Sequence, residues 1–353
     1  MNIIRGVSDV FWDSDIWLPP NTTWKDIAPN SNPHIHHADS THLLYPIPMA
    51  MCLFIFRRLF EKYCLSPFGL YLGIKNTAPK KAPANKHLEA AFSRSRYPKV
   101  SVIKGLVKQL DWEEIQVERW FRARRLQDKP STLVKFVECG WRGLYYTLSF
   151  IYGWIVLWDK EWLWDIQKCW SNYPHQSVEV SIWWYYMVSL SFYWCLCFTQ
   201  FIDVKRSDFW QMFAHHLATI ALMSFSWVCN MTRIGSLVIF LHDAADIILE
   251  AAKMTKYAKC QRICDCMFVI FVPLWTGTRI GVYPLWILRN TMFDAAKIVP
   301  MFPAYYIFNS LLIGLLALHV FWTYLMLRIL QNTLKTGSME KDVRSSSEDE
   351  DSD

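Results

Sequence analysis

Residues 215–252 read HHLATIALMSFSWVCNMTRIGSLVIFLHDAADIILEAA, two apolar runs joined by a short polar turn around Asn230–Arg233. Each run approaches the length of about 20 residues that a helix needs to cross a bilayer. Each also carries ionisable side chains inside its apolar sequence. His215 and His216 lie on the first, and His242, Asp243, Asp246 and Glu250 on the second. Such groups are costly in hydrocarbon, so they point to a functional centre facing a bundle interior. At a helical rise of about 1.5 Å per residue, His215 lies ~9 Å inside Phe209 and Asp243 ~10 Å inside Glu250. Two antiparallel helices therefore hold imidazoles and carboxylates at matching depth. The i,i+3 and i,i+4 spacings place His242, Asp243 and Asp246 on one helix face.

The rest of the chain suits that setting. Of 353 residues, 53% are hydrophobic and only 19% charged, more apolar than one soluble domain usually needs. The 19 Trp, 16 Tyr and 22 Phe are residues that gather at membrane interfaces. This composition excludes disorder for most of the chain, and it excludes a small disulfide scaffold. The ten Cys are scattered, mostly within apolar blocks, and are expected as reduced thiols. Bilayer-length apolar stretches fall near 43–60, 143–158, 182–201, 209–229, 234–250, 266–286 and 304–329. The expected fold is an all-α polytopic membrane protein of about seven transmembrane helices.

Charge sets the expected orientation. Residues 75–129 hold 14 Lys/Arg against 6 Asp/Glu, whereas 159–181 carry Asp159, Glu161, Asp165 and Glu179 against two Lys. Positive segments stay cytosolic, which predicts a lumenal N-terminus (residues 1–42), a first span at 43–60 and a cytosolic C-terminus. Residues 1–20 lack a continuous apolar h-region, so the first span reads as a retained anchor. The sequon at Asn21 then faces the lumen and is a glycosylation candidate. A second sequon at Asn230 sits in a tight turn too near the membrane to be modified. His34, His36 and His37 cluster in the lumenal segment, where they read as solvated rather than as a metal site. Residues 331–353 end in SSSEDEDSD, an acidic, low-complexity tail. Ser345, Ser346 and Ser347 each have an acid three residues on, a pattern for an acid-directed kinase or simply for a soluble tail.

Residues 73–131 resemble a homeodomain. Three helices fit around 85–95, 102–111 and 113–129, and WFRARR (Trp120–Arg125) is close to the WF-x-N-R-R signature of a recognition helix. Leu88, Phe92, Leu106, Leu110, Trp120 and Phe121 have the spacing of a three-helix core. A homeodomain reads adenine through an Asn on its third helix, and here that position is Ala123. Basic residues alone attract any polyanion without a base code. The segment is therefore expected to be a structural or regulatory cytosolic domain, not a DNA-binding one.

The stretch KRSDFWQMFAHH, followed by HH…N-x-x-R-x-G…HD-x-x-D…LE-x-A-K, resembles the TLC domain of ceramide synthases, over roughly residues 135–330. A homeobox-like segment ahead of such a domain is typical of animal members. The resemblance implies a six-helix catalytic membrane domain behind the N-terminal anchor, in the endoplasmic reticulum membrane. It implies transfer of a fatty acyl group from acyl-CoA, as co-substrate, to the amine of a sphingoid long-chain base, with no other cofactor and no metal. Its motif residues carry over as His215, His216, Asn230, Arg233, His242, Asp243 and Asp246. Membrane di-iron oxidases need many more closely spaced histidines.

The chemistry fits these residues. A histidine near neutrality can take the proton of a sphingoid ammonium, or attack the thioester to give an acyl-imidazole. A carboxylate on the ring would fix its tautomer in either route, which makes His215 the expected acceptor and Asp243 or Asp246 its orienter. His242, Asn230 and Arg233 are candidates for binding substrate. Lys205 and Arg206 are candidates for the CoA phosphates. The family also places an acyl-length determinant between the last two spans, here 281–304, with Trp286, Arg289, Asn290, Thr291, Met292 and Phe293. Partners beyond both substrates and the bilayer are limited to a homo- or hetero-dimer. The competing class is a non-catalytic lipid-binding or transport protein of the TLC type.

Overall fold

The computed structural model describes residues 9–29, 31–76, 81–127 and 130–336. Among the described residues every regular element is helical and no strand occurs. Ser345, Ser346 and Ser347 lie outside them. Helix α1 (Pro46–Phe60) runs on through a π-turn and a further helical turn to Tyr71. Three short helices follow, α2 (Lys86–Arg94), α3 (Val100–Leu110) and α4 (Glu114–Gln127). The remaining long helices are α5 (Thr132–Leu157), α6 (Val180–Thr199), α7 (Phe209–Val228), α8 (Thr232–Tyr257), α9 (Gln261–Trp275, continuing in π-helix and a last α-turn to Ile298) and α10 (Pro303–Thr336).

Among the described residues, three helical stretches are long and apolar enough to cross a membrane: Ser40–Tyr71, Gln261–Ile298 and Pro303–Asn332. Helices α5, α7 and α8 are diluted by the polar groups they carry inward, among them Glu138, Arg142, His216 and Glu250. Helix α6 is apolar all round, and Tyr185, Tyr186, Leu190, Phe192 and Tyr193 are all buried, as expected for a helix enclosed by others.

The last two long helices depart from the sequence expectation. Residues 281–298 are helix, not connection, and only 299–302 link them to α10. Pro273 and Pro284 lie inside this stretch. Proline removes a donor and clashes with an i−4 carbonyl. Here the backbone widens into π-helix over Thr276–Leu288 and Asn290–Asp294, so the helix continues instead of ending.

The α7–α8 turn closes on Asn230, whose φ of +58° is a conformation Asn tolerates better than most residues. The Met231 N–H donates to the Ser226 carbonyl at 2.7 Å across it. One turn later a Cβ on Gly235 would come within 1.6 Å of the Tyr186 hydroxyl, so only glycine lets α8 lie this close to α6. Helix α1 is fixed by charge. Arg57, 2% exposed, donates to Glu61 Oε1 at 2.7 Å, to Thr199 Oγ1 at 3.0 Å and to both Asp203 oxygens at 2.9 and 2.7 Å.

Around α2–α4, Leu88, Phe92, Leu106, Val117, Trp120 and Phe121 form one buried cluster. Arg124 pairs with Glu89 at 2.9 Å, and Arg125 stacks over Tyr97 at 4.5 Å. Arg124 and Arg125 of WFRARR thus have partners inside the protein. All ten cysteines are free thiols. In the N-terminal segment His34 and His36 are exposed, but His37 is buried against His175 and Ser31. The expectation of a fully solvated cluster fails at His37, because that ring fills a gap between two loops. Burial, with His175 beside it, holds its pKa below the usual histidine value.

Candidate active site

Two cavities meet inside the bundle of α5–α10. The first, of about 950 Å³, is apolar and lies between α7, α8 and α10, lined by Leu222, Met223, Ile239, Phe308 and Leu312 among others. The second, of about 1030 Å³, is polar and contains Arg142, Arg206, Lys253, Arg279, Asp203, Asp246 and Glu250. His215 and Tyr193 line both cavities. The junction is thus an imidazole beside a phenol, with the rings 6.4 Å apart, between a greasy chamber and a charged vestibule.

The histidines differ in how they are held. His216 Nδ1 lies 2.9 Å from Gln200 Oε1, while Gln200 Nε2 donates to the Phe209 carbonyl at 2.6 Å. The amide orientation makes Oε1 the acceptor, so His216 carries its proton on Nδ1 and keeps a lone pair on Nε2. His215 sits edge-on to Trp322 at 5.5 Å, and its Nδ1 is buried without a hydrogen-bond partner.

The carboxylates are not placed as the sequence suggested. Asp243 Oδ2 accepts from Ser149 on α5 at 2.6 Å, and Asp243 lines neither cavity. A one-residue step turns a helix by about 100°, enough to aim Asp243 at α5 while His242 faces inward. Asp246 does line the vestibule, and there it accepts from Arg279 at 3.1 Å. No hydrogen bond joins either carboxylate to His215 or His216 among the described residues. The orienting group on His216 is the neutral amide of Gln200.

His242 lines the apolar chamber with its Nδ1 2.6 Å from the Val238 carbonyl. Its Nε2 lies 3.3 Å from His319 Nε2, a contact that ties α8 to α10. Arg279 donates to the His242 carbonyl at 2.6 Å. Arg279, His319, Gln200, Tyr193, Ser149 and Arg142 escaped the sequence reading. His319 and Arg279 were findable by the rule that exposed His215, as lone ionisable residues within apolar helices.

Asn230 and Arg233 do not reach either cavity as polar groups. Asn230 Nδ2 donates to the Pro174 and Gln176 carbonyls at 2.7 and 2.8 Å. Arg233 donates to the Lys168 carbonyl at 2.8 Å and lies over the Trp162 ring. Their expected contact with substrate is replaced by a hold on the loop before α6, because backbone carbonyls take up their donors. Arg206 lines the vestibule, whereas Lys205 is exposed beside Phe209. Of the six residues expected to choose chain length, Thr291 alone lines the chamber. Asn290 is buried behind it, Trp286 and Met292 pack into the adjoining core, and Arg289 and Phe293 point outward. Asn21 is exposed, and the second sequon's Asn230 is 1% exposed and sealed from modification.

Comparison with known proteins agrees with this architecture. Residues 135–328 match the TLC domain family and residues 79–130 the homeodomain family. The chain is 44% identical over 345 residues to human ceramide synthase 5, covering 96% of this chain and 88% of that one. It is 42% identical to human ceramide synthase 3, with 96% and 88% covered. With human ceramide synthase 4 the figure is 38%, with 99% and 89% covered. A TLC domain wrapped around the paired His215 and His216, and likeness over nearly the whole length, place this chain in the ceramide synthase family of N-acyltransferases.

Proposed function

We propose that the protein transfers a fatty acyl group from acyl-CoA to the amine of a sphingoid base, sphinganine or sphingosine, giving dihydroceramide or ceramide. The observation that carries this reading is the junction at His215. An acyl chain in the apolar chamber and CoA in the vestibule bring the thioester, the bond between those two halves, to the imidazole. The amine nitrogen forms a bond to the carbonyl carbon, the C–S bond breaks, and the sulfur leaves as CoA thiol. His215 accepts either the amine proton or, in a two-step route, the acyl group itself. His216, its proton fixed on Nδ1, presents a basic Nε2 to the vestibule for the ammonium proton. Arg142, Arg206 and Lys253 supply cations for CoA phosphates.

The setting we propose is the endoplasmic reticulum membrane, with α1 and α5–α10 as seven spans. The vestibule then opens to the cytosol and the chamber extends toward the lumen. Polar groups buried inside α5, α7 and α8 favour membrane helices facing a shared interior over lipid-facing ones. The 14 to 6 excess of cations at 75–129 supports a cytosolic side for α2–α4. Ala123 leaves that segment without an adenine-reading Asn.

The test uses purified full-length protein with labelled acyl-CoA and sphinganine. His215→Ala and His216→Ala should each lower kcat by about 10²–10⁴-fold while the protein still reaches the membrane. A well-folded double variant with near-normal turnover would refute the mechanism. Intact-mass analysis after acyl-CoA alone separates the two routes, since only the acyl-imidazole adds the acyl mass.

A further inference from the structure

The end of the chamber away from His215 is lined by one indole. His215 and Ser226 both line it from α7, and the eleven helical steps from one to the other set its ends ~16 Å apart at about 1.5 Å per residue. At the Ser226 end stand Val299, Pro300 and Phe302 of the α9–α10 link, together with Trp170, which enters from the loop before α6. Trp170 is the single tryptophan among the described lining residues and is 6% exposed. Its Nε1 donates to Asn290 Oδ1 at 2.6 Å, which fixes the ring in the chamber wall.

The loop carrying Trp170 is held rigid on both sides. Gln176 Nε2 donates to the carbonyls of Cys169 and Ser171, the two residues flanking Trp170, at 2.7 and 2.9 Å. Arg233 holds the Lys168 carbonyl, and Asn230 holds those of Pro174 and Gln176. The Tyr173 hydroxyl donates to the Cys229 carbonyl at 3.0 Å. These side chains spend charge and hydrogen bonds on a loop that makes no other contact with the chemistry.

We propose that Trp170 is the floor of the chamber and sets the longest acyl chain accepted, and that Asn290, Asn230 and Arg233 are positioning residues for it. This rests on the acyl-transfer reading above. It gives Asn290 a route to chain length that does not require it to touch the acyl chain.

The experiment measures kcat/KM of the purified full-length protein across saturated acyl-CoAs of increasing length. Trp170→Leu opens the floor. The ratio of kcat/KM for chains longer than the present optimum over that optimum should rise about tenfold or more, since one methylene in an apolar pocket is worth about that factor. Asn290→Ala frees the indole and should broaden the profile in the same direction. In a Trp170→Phe background, which has no N–H to hold, Asn290→Ala should add nothing, the non-additivity of a shared contact. If Trp170→Leu does not fold, the Trp170→Phe pair carries the test. An unchanged length profile with retained turnover would overturn the assignment and leave acyl transfer intact. A wild-type protein that transfers no acyl group would overturn the reading beneath it.

Discussion

Gln200 and His216 form a hydrogen-bonded pair whose polarity is set from outside: Gln200 gives its N–H to the Phe209 carbonyl and offers His216 only an acceptor, at 2.9 Å. A neutral amide does here what a carboxylate does in a hydrolase triad, since either one selects the tautomer. The amide does so without adding a charge beside the vestibule.

That pairing makes Gln200 a positioning residue. Gln200→Leu should lower kcat by about 10²-fold, the lower end of what a placed general base contributes, with little change in KM for acyl-CoA. Gln200→Glu retains an acceptor and should recover most of the loss. Equal loss in both variants would show that the amide serves only packing.

Asp243 is expected to act on the fold more than on the chemistry. Its carboxylate accepts from Ser149 at 2.6 Å and lines neither cavity. Ser149→Ala would leave a buried acceptor unsatisfied and should cost about 1–3 kcal/mol, read as a lower Tm in detergent with KM for both substrates unchanged. Asp246→Asn, by contrast, weakens the Arg279 contact in the vestibule wall and should raise KM for acyl-CoA. A rise in acyl-CoA KM on Ser149→Ala would instead put Asp243 in the vestibule.

These two aspartates show where sequence reading ran out. The turn joining α7 to α8 and the inward placing of His215, His216 and His242 were legible, because both follow from helix length and from the cost of charge in hydrocarbon. Which way each acid faces was not, since that depends on the packing angle of α8 on α5, and Gly235 against Tyr186 helps to set how α8 lies. The length of α9 was hidden for a different reason. Two prolines normally end a helix, and the π-register that absorbs them leaves no mark in hydropathy. Asn230 and Arg233 were visible as polar residues at a turn, but their partners are backbone carbonyls about 55 to 65 positions away.

The first span should be inseparable from the rest. Arg57, 2% exposed, is the shared partner of Glu61 and Asp203, and Asp203 lines the vestibule. Arg57→Leu takes a buried cation from half-buried Asp203 and leaves buried Glu61 with only the exposed Arg58, a loss of about 3–5 kcal/mol. Arg57→Lys should not restore it, because a single ammonium cannot reproduce the forked contact with Asp203. Thermal unfolding in detergent reads both. A chain with residues 1–60 removed that keeps wild-type Tm would contradict this coupling.

Direction along α9 decides which of the six residues at 286–293 can influence chain length. Thr291 lines the chamber, while Phe293 is 60% exposed and Arg289 lies on the same outward side. Thr291→Phe places a ring in the chamber wall and should cut kcat/KM for the longest accepted acyl-CoA by about tenfold or more, since steric loss of one methylene already reaches that factor. Arg289→Ala and Phe293→Ala should leave the ranking of acyl-CoAs unchanged, because neither side chain faces the chamber. The measurement is the product profile from an equimolar acyl-CoA mixture with each purified variant. If Phe293→Ala re-ranks the acyl chains and Thr291→Phe does not, the acyl group runs along the outer side of α9 in the bilayer, and the interior cavity between α7, α8 and α10 holds the sphingoid tail instead.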